Sequence, residues 1–336
     1  MTQGGSRLIR HAAYVAARRD LVRAIHQALP GTIVFVVGMP GAGKTELRKD
    51  VMNEFAGDLA QWGTGRVPLV GVRAAPTDRS YFSPKDFQAR LRAELQTPLL
   101  DWYSPKNEAA MAALEAFKQE IAQAREIWTE RRRGDSENAM RWEFEQGART
   151  RCVKYLFVDQ AGSMARTQRG HEPHEHMYSL MCEAEEIPLV LVMIGTHRAA
   201  ALWEGDSEIG RRSQKVIFRR YGNTENDLFD LLRLCANLTR DLRFEKNAAP
   251  AQAIHLVYHA TCGVFDEVRT FYQRAQSCSE TEGTGAITLK HLESAVRSPR
   301  ELEALYNACK KFDQIRAIAD LSKMPPLRVA VDASKS

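Results

Sequence analysis

IVFVVGMPGAGKT, residues 33–45, decides the fold: an apolar, mostly β-branched run passes directly into the phosphate-binding loop GxxxxGKT. Ile33–Val37 suits a buried strand. Gly38, Gly41 and Gly43 let backbone N–H groups turn inward around phosphate oxygens, where a Cβ would obstruct the approach. Lys44 is placed to reach the β- and γ-phosphates and Thr45 to ligate Mg²⁺. From Thr45 to about Phe55 a helix is expected, its N-terminal dipole facing the anion. The nucleotide-contacting set on this reading is Gly38, Pro40, Gly41, Ala42, Gly43, Lys44, Thr45 and Glu46, with ATP and Mg²⁺ as the cofactors.

The chain has 336 residues, enough to bury a full core and to form about two domains. Its longest apolar stretches, Ile33–Val37 and Ile187–Ile194, are of strand length, well short of the ~20 residues that cross a bilayer. The N-terminus lacks a signal-peptide core, so the expectation is a soluble cytoplasmic protein without a membrane partner, nucleoid-associated when on DNA. Six cysteines (Cys152, Cys182, Cys235, Cys262, Cys278, Cys309) fall singly, with no CxxC pair, and read as reduced core thiols. A net charge of +5 permits an acidic partner such as DNA without requiring one.

Upstream of the first strand, 12–29 has helical spacing (Val15, Leu21, Ile25, Leu29) and stops at Pro30-Gly31. Downstream, strands are expected at Pro68–Ala74, Val153–Asp159, Pro188–Ile194 and Lys215–Arg219. Helices are expected at Pro84–Leu95, Lys106–Trp128, about Ser136–Arg149 and 173–186, with a polar segment from Thr196 to Gly210. Strand and helix alternate, which indicates a parallel sheet with helices on both faces. Beyond Tyr221-Gly222-Asn223 only helices follow, at about 225–241, 249–260, 264–277 and 288–297, with Ser277–Gly285 as a loop among them. The organisation read from this is an α/β nucleotide-binding domain over 1–223, a small α-helical lid over 224–297, and a C-terminal helix (Pro299 to about Ile318) and tail over 298–336, whose end MPPLRVAVDASKS suggests a flexible or partner-bound segment.

The strand YLFVD ends in Asp159, where a carboxylate beside the phosphate loop holds Mg²⁺ through Thr45 and water; the alternative is a cap on the next helix. Gln160 follows, where many ATPases of this architecture carry a glutamate that polarises water, and a carboxamide cannot take the proton. Slow hydrolysis, a substitute carboxylate elsewhere, or an exchanged native glutamate all fit. Gly195-Thr196-His197 closes a strand at the sheet edge where ligands of open α/β sheets bind, so Thr196 reads either as a γ-phosphate sensor or as part of a turn. Arg211-Arg212 precedes the last strand, either as an arginine finger for a neighbouring subunit or as a basic helix end. Arg269, in the helix after Gly263, is placed to give a lid arginine to the nucleotide. HEPHEH offers His171, His174 and His176 to a metal, but Pro173 and the flanking glutamates fit a solvated helix start better.

Together these elements resemble the TnsC/TniB family of AAA+ ATPases, the regulators of transposons that include RNA-guided transposition systems. The resemblance covers most of residues 12–297 and is most specific in EIPLVLVMIGTHRAAALWEGDSEIGRRSQKVIFRRYG (186–222), TCGVFDEVRTFYQRA (261–275) and AITLKHLESA (286–295). It implies the AAA+ P-loop fold with a helical lid, Arg211 or Arg212 as the finger, Thr196 as the sensor and Arg269 at a sensor-like place. The glutamine at 160 departs from the family's acidic residue. The resemblance further implies an ATP-dependent switch that assembles as rings or filaments on double-stranded DNA, takes a signal from a target-selector protein and recruits the transposase. The family's DNA contacts follow the second strand, which makes Lys85, Arg90 and Arg92 the candidates, with Lys106 and Arg131 behind them; a solvated helix face reads equally well. Two other functions fit the phosphate loop: a P-loop NTPase acting on a small molecule or protein, and a signalling ATPase that oligomerises without DNA.

Overall fold

The structure, a computed structural model, describes residues 9–62, 65–75, 80–129, 135–168 and 170–316. Five parallel strands form one sheet: β1 (Ile33–Gly38), β2 (Leu69–Arg73), β3 (Tyr155–Asp159), β4 (Val190–Gly195) and β5 (Ser213–Phe218), in spatial order β2-β3-β4-β1-β5. Every residue of β1 and β4 is buried, as expected of parallel strands covered on both faces. Around the sheet lie α1 (Ala12–Gln27), α2 (Lys44–Ala56), α3 (Pro84–Gln96), α4 (Glu108–Thr129), α5 (Glu137–Thr150), α6 (Pro173–Glu186) and α7 (Ser207–Arg211). Pro84 at the first helical position and the Ser83 hydroxyl, which accepts from the Asp86 N–H, fix the start of α3; Ser136 caps α5 in the same way.

β1 lies between two partners, with Val37 opposite both Gly195 of β4 and Ile217 of β5. Its C-terminal end is therefore held from both sides, and the loop that leaves it starts from a fixed point. After Tyr221 the described chain is helical: α8 (Glu225–Leu238), α9 (Pro250–Thr261), α10 (Phe265–Glu282), α11 (Leu289–Ser294) and α12 (Pro299–Arg316), with one parallel bridge between Phe244 and Ile287.

One expectation is corrected. Ser277–Gly285 is not a loop: α10 continues to Glu282 and ends at Gly283 in the left-handed conformation (φ 68°). Two of its hydroxyls find carbonyls instead of breaking the helix, Thr281 donating to the Ser277 carbonyl one turn back and Ser279 to the Ala286 carbonyl. The polar stretch after Thr196 is ordered into a short 3₁₀ turn, His197–Leu202, and α7, whose first N–H groups are capped by the Asp206 carboxylate. The remaining elements sit within a few residues of their expected bounds. The tail MPPLRVAVDASKS lies outside the described residues.

Candidate nucleotide site

The phosphate loop begins at the buried end of β1 and turns through Gly41 (φ 73°) and Gly43 (φ 94°), left-handed conformations that side chains disfavour. Lys44 opens α2 and folds its ammonium over the loop, donating to the carbonyls of Gly38 (3.1 Å) and Met39 (2.7 Å). Burial lowers its pKa to about 8 against the opposing pull of Asp159. An anion bound at the loop would give that ammonium a better acceptor than two neutral carbonyls.

Asp159 ends β3 and is buried. The Thr45 hydroxyl donates to its Oδ2 at 3.4 Å, and the backbone N–H of Gln160 donates to its Oδ1 at 2.8 Å. The two oxygens are hard donors of the kind that Mg²⁺ takes alongside waters and phosphates. Sequence reasoning missed Arg48, one turn along α2 from Lys44. Its buried guanidinium lies 3.8 Å from Asp159 Oδ2, with Nε lacking a hydrogen-bond partner. The helical period alone, four residues after the phosphate lysine, places it there.

Gln160 is exposed and holds φ 58°, a conformation costly for a residue with a Cβ. The turn Ala161–Ser163 that it starts packs against Thr196: a Cβ on Gly162 would sit 3.4 Å from the Thr196 hydroxyl, and one on Gly195 would sit 3.0 Å from the Gly162 nitrogen. Thr196 and Gln160 thus flank one close contact between the ends of β3 and β4. His197 Nδ1 is buried without a partner, and burial, then the charges of Arg198, Lys311 and Lys44, lower its pKa.

The helical part closes over the loop. The Asp266 N–H, at the start of α10, donates to the Gly41 carbonyl (3.2 Å), and a Cβ on Gly41 would meet the Asp266 Cβ at 2.5 Å. Arg269 donates to Asp266 at 2.5 Å, so it stands one turn behind the contact with the loop. A cluster that sequence reasoning missed fills the adjoining space: the His11 ring stacks on Phe265 (centroids 4.8 Å apart), lies near Phe218 and pairs its Nδ1 with the Tyr221 hydroxyl (2.9 Å). Burial lowers the His11 pKa to about 4. No sequence pattern marks His11, because its partners lie on β5, the link after it, and α10.

Arg211 and Arg212 lie at the opposite edge of the sheet. The Arg212 carbonyl accepts from the N–H of Ile33, the first residue of β1, whereas the phosphate loop leaves the last. Six residues of strand, about 20 Å, separate the two edges. Arg212 is tied to Glu185 and, at 3.2 Å, to Glu208; Arg211 is exposed, and its side chain makes no ion pair among the described residues.

The DNA candidates divide. Lys85 and Lys106 are exposed, and Arg131 lies outside the described residues. Arg90 donates to the carbonyls of Arg73 (3.0 Å) and Ala75 (2.6 Å) at the end of β2. For Arg92 the expectation is corrected: it is 7% exposed and bridges Asp135 (2.6 Å) and Glu143 (2.9 Å), because its position on α3 faces α5 rather than solvent. In HEPHEH, His171 pairs with Glu175 and His176 packs on Phe82, and no cluster of three potential metal ligands exists among the described residues.

No protein-family model and no curated protein matches the sequence. Among solved structures, the chain is similar to Cdc6p from Pyrobaculum aerophilum (TM-score 0.50, 13% identity, over 85% of this chain and 66% of that one). It is also similar to the Aeropyrum pernix ORC2 protein (TM-score 0.47, 15% identity, 90% and 72%). Domain III of the Thermotoga maritima replication initiation protein DnaA gives TM-score 0.43 at 11% identity, over 85% and 94%. With its parallel sheet in the order β2-β3-β4-β1-β5, its phosphate loop after the strand that β4 and β5 enclose, and helices beyond, the chain has the AAA+ P-loop ATPase fold.

Proposed function

We propose that this chain is an ATP-dependent, DNA-binding AAA+ regulator of DNA transposition that assembles on double-stranded target DNA and links target-site selection to transposase recruitment. The observation that carries the assembly is Arg211, exposed at the sheet edge opposite its own phosphate loop. It is too far to serve its own nucleotide, which supports a role toward a neighbour's. The transposition role rests on the resemblance of 186–222, 261–275 and 286–295 to the TnsC/TniB family. Lys44 and the loop N–H groups would hold the phosphates, and Thr45 with Asp159 would hold Mg²⁺, which when bound neutralises charge on the β- and γ-oxygens. Thr196 would sense the γ-phosphate and Arg269 would approach from the lid. Gln160 leaves the attacking water without a base, so turnover is slow, and Gln160→Glu should raise phosphate release about tenfold.

Negative-stain microscopy of the protein with ATP and duplex DNA tests the proposal. Filaments or rings that need both ligands, and that Arg211→Ala abolishes while leaving binding of a fluorescent ATP analogue intact, are expected. Monomers under all conditions would overturn it. A second reading, ATP-driven assembly without DNA, is favoured by the internal engagement of Arg90 and Arg92; filaments that need ATP alone would establish it.

A further inference from the structure

Helix α12 meets the junction of the sheet and the helical part along one stripe. Tyr306, Cys309 and Asp313 of α12 recur at helical spacing. The Tyr306 hydroxyl donates to the His259 carbonyl (2.7 Å), and Asp313 accepts from Arg220 (2.5 Å), which also donates to the carbonyl of Cys262 (2.9 Å). Between these two ties lie the buried side chains of Cys262 and Cys309. Both line a cleft of about 600 Å³ with Arg220, Tyr258 and Lys310. Hydrogen bonding from Cys262 and the nearby Arg220 charge favour the Cys309 thiolate against its burial, while the same hydrogen bond and burial push Cys262 up. Cys262 ends α9 in a left-handed conformation (φ 51°), and Gly263 follows with the Tyr221 N–H donating to its carbonyl at 3.0 Å. Three residues further on, Asp266 touches the phosphate loop.

We propose that Cys309 and Cys262 form a thiol-modification site for small hydroperoxides, Cys309 attacking and Cys262 resolving, and that the resulting disulfide fastens α12 to the hinge of the helical part. In the first step the Cys309 thiolate attacks one peroxide oxygen. The S–O bond forms, the O–O bond breaks, and hydroxide leaves to take a proton, giving a sulfenic acid. In the second, the Cys262 sulfur attacks the Cys309 sulfur. The S–S bond forms, the S–O bond breaks, and the Cys262 proton departs with the hydroxyl as water. Two thiols lose two electrons and one hydrogen peroxide becomes two waters. Because both cysteines line one cleft, closing the sulfurs to about 2.05 Å draws α12 onto the end of α9. The bond would hold α10, and with it Asp266 and Arg269, against Gly41.

The test treats the full chain with hydrogen peroxide, blocks free thiols by alkylation and maps peptides by mass spectrometry, with dimedone to trap sulfenic acid. Expected are a Cys262–Cys309 linked peptide in the wild type, dimedone on Cys309 in Cys262→Ser, and none on Cys262 in Cys309→Ser. Both thiols remaining alkylatable while exposed Cys152 is oxidised would overturn the site, and dimedone on Cys262 in Cys309→Ser would overturn the assignment of the nucleophile. These readouts need no nucleotide and stand apart from the ATPase reading. Release of a fluorescent ADP analogue should slow about fivefold on oxidation and recover with dithiothreitol; unchanged release from protein carrying the disulfide would overturn the fastening of the hinge.

Discussion

The phosphate loop and the basic face of α3 were both read from short stretches of sequence, and they behave differently in the fold. At the loop, Lys44 folds over the turn, and Thr45 faces Asp159 across 114 residues of chain. On α3, three basic residues that look alike in sequence have three fates: Lys85 is exposed, Arg90 serves the end of β2, and Arg92 is buried between two carboxylates. A glycine motif constrains backbone geometry, which is local and survives folding unchanged. A run of charge constrains nothing until its partners arrive, and Asp135 and Glu143 arrive from 43 and 51 residues away.

The sharpest contrast between the two regions is expected from Lys44→Ala, which should weaken ATP binding on the order of 100-fold with little change in stability, because the phosphates lose their motif cation. Titration with a fluorescent ATP analogue checks it. The roof of the site should show itself through pH. His11 has a folded-state pKa of about 4 against an ordinary 6.5, so the unfolded chain takes up a proton between these values while the folded one does not. Stability is therefore complete above pH 6.5 and declines as pH falls toward 4, by about 2 kcal/mol between pH 7 and 5. Urea unfolding at the two pH values should reveal the loss, and His11→Phe should remove it.

On α3 the order of effects reverses. Arg92→Ala should leave nucleotide binding alone and cost about 1–2 kcal/mol in urea unfolding, less than a fully buried pair because both its carboxylates reach solvent. Lys85→Ala should change stability by less than about 0.5 kcal/mol. If α3 lies against DNA, the same variant should flatten the log–log salt dependence of duplex binding by about one unit for all sequences alike. An unchanged slope would move the DNA surface away from α3.

Sequence was most informative where a residue's role follows from neighbours in the chain. The strand endings could be read to within a residue, because each apolar run stops where its strand stops, at Gly38, Asp159 and Gly195. The end of α10 could not, since Ser and Thr signal a loop unless their hydroxyls find carbonyls, and Ser279 finds one only after the chain turns back to Ala286. His11 was invisible for a related reason: its environment is assembled from residues more than 200 positions away. Arg48 was readable from helical spacing, but its unpartnered Nε beside Asp159 needs the fold to be seen.

Arg90 has a further consequence for the colloidal behaviour of the molecule. β2 is one of the two edge strands, and where its ladder to β3 ends the Ala74 N–H is taken by the Asp159 carbonyl. The alternate carbonyls, those of Arg73 and Ala75, point the other way, toward the open edge, and it is these that the Arg90 guanidinium covers. An apolar edge strand with free acceptors is a template for another chain's backbone, and a fixed positive charge laid over it repels such a visitor. With both carbonyls covered, Arg90→Ala should open this edge to pairing and give nucleotide-independent clumping, which light scattering without DNA would detect.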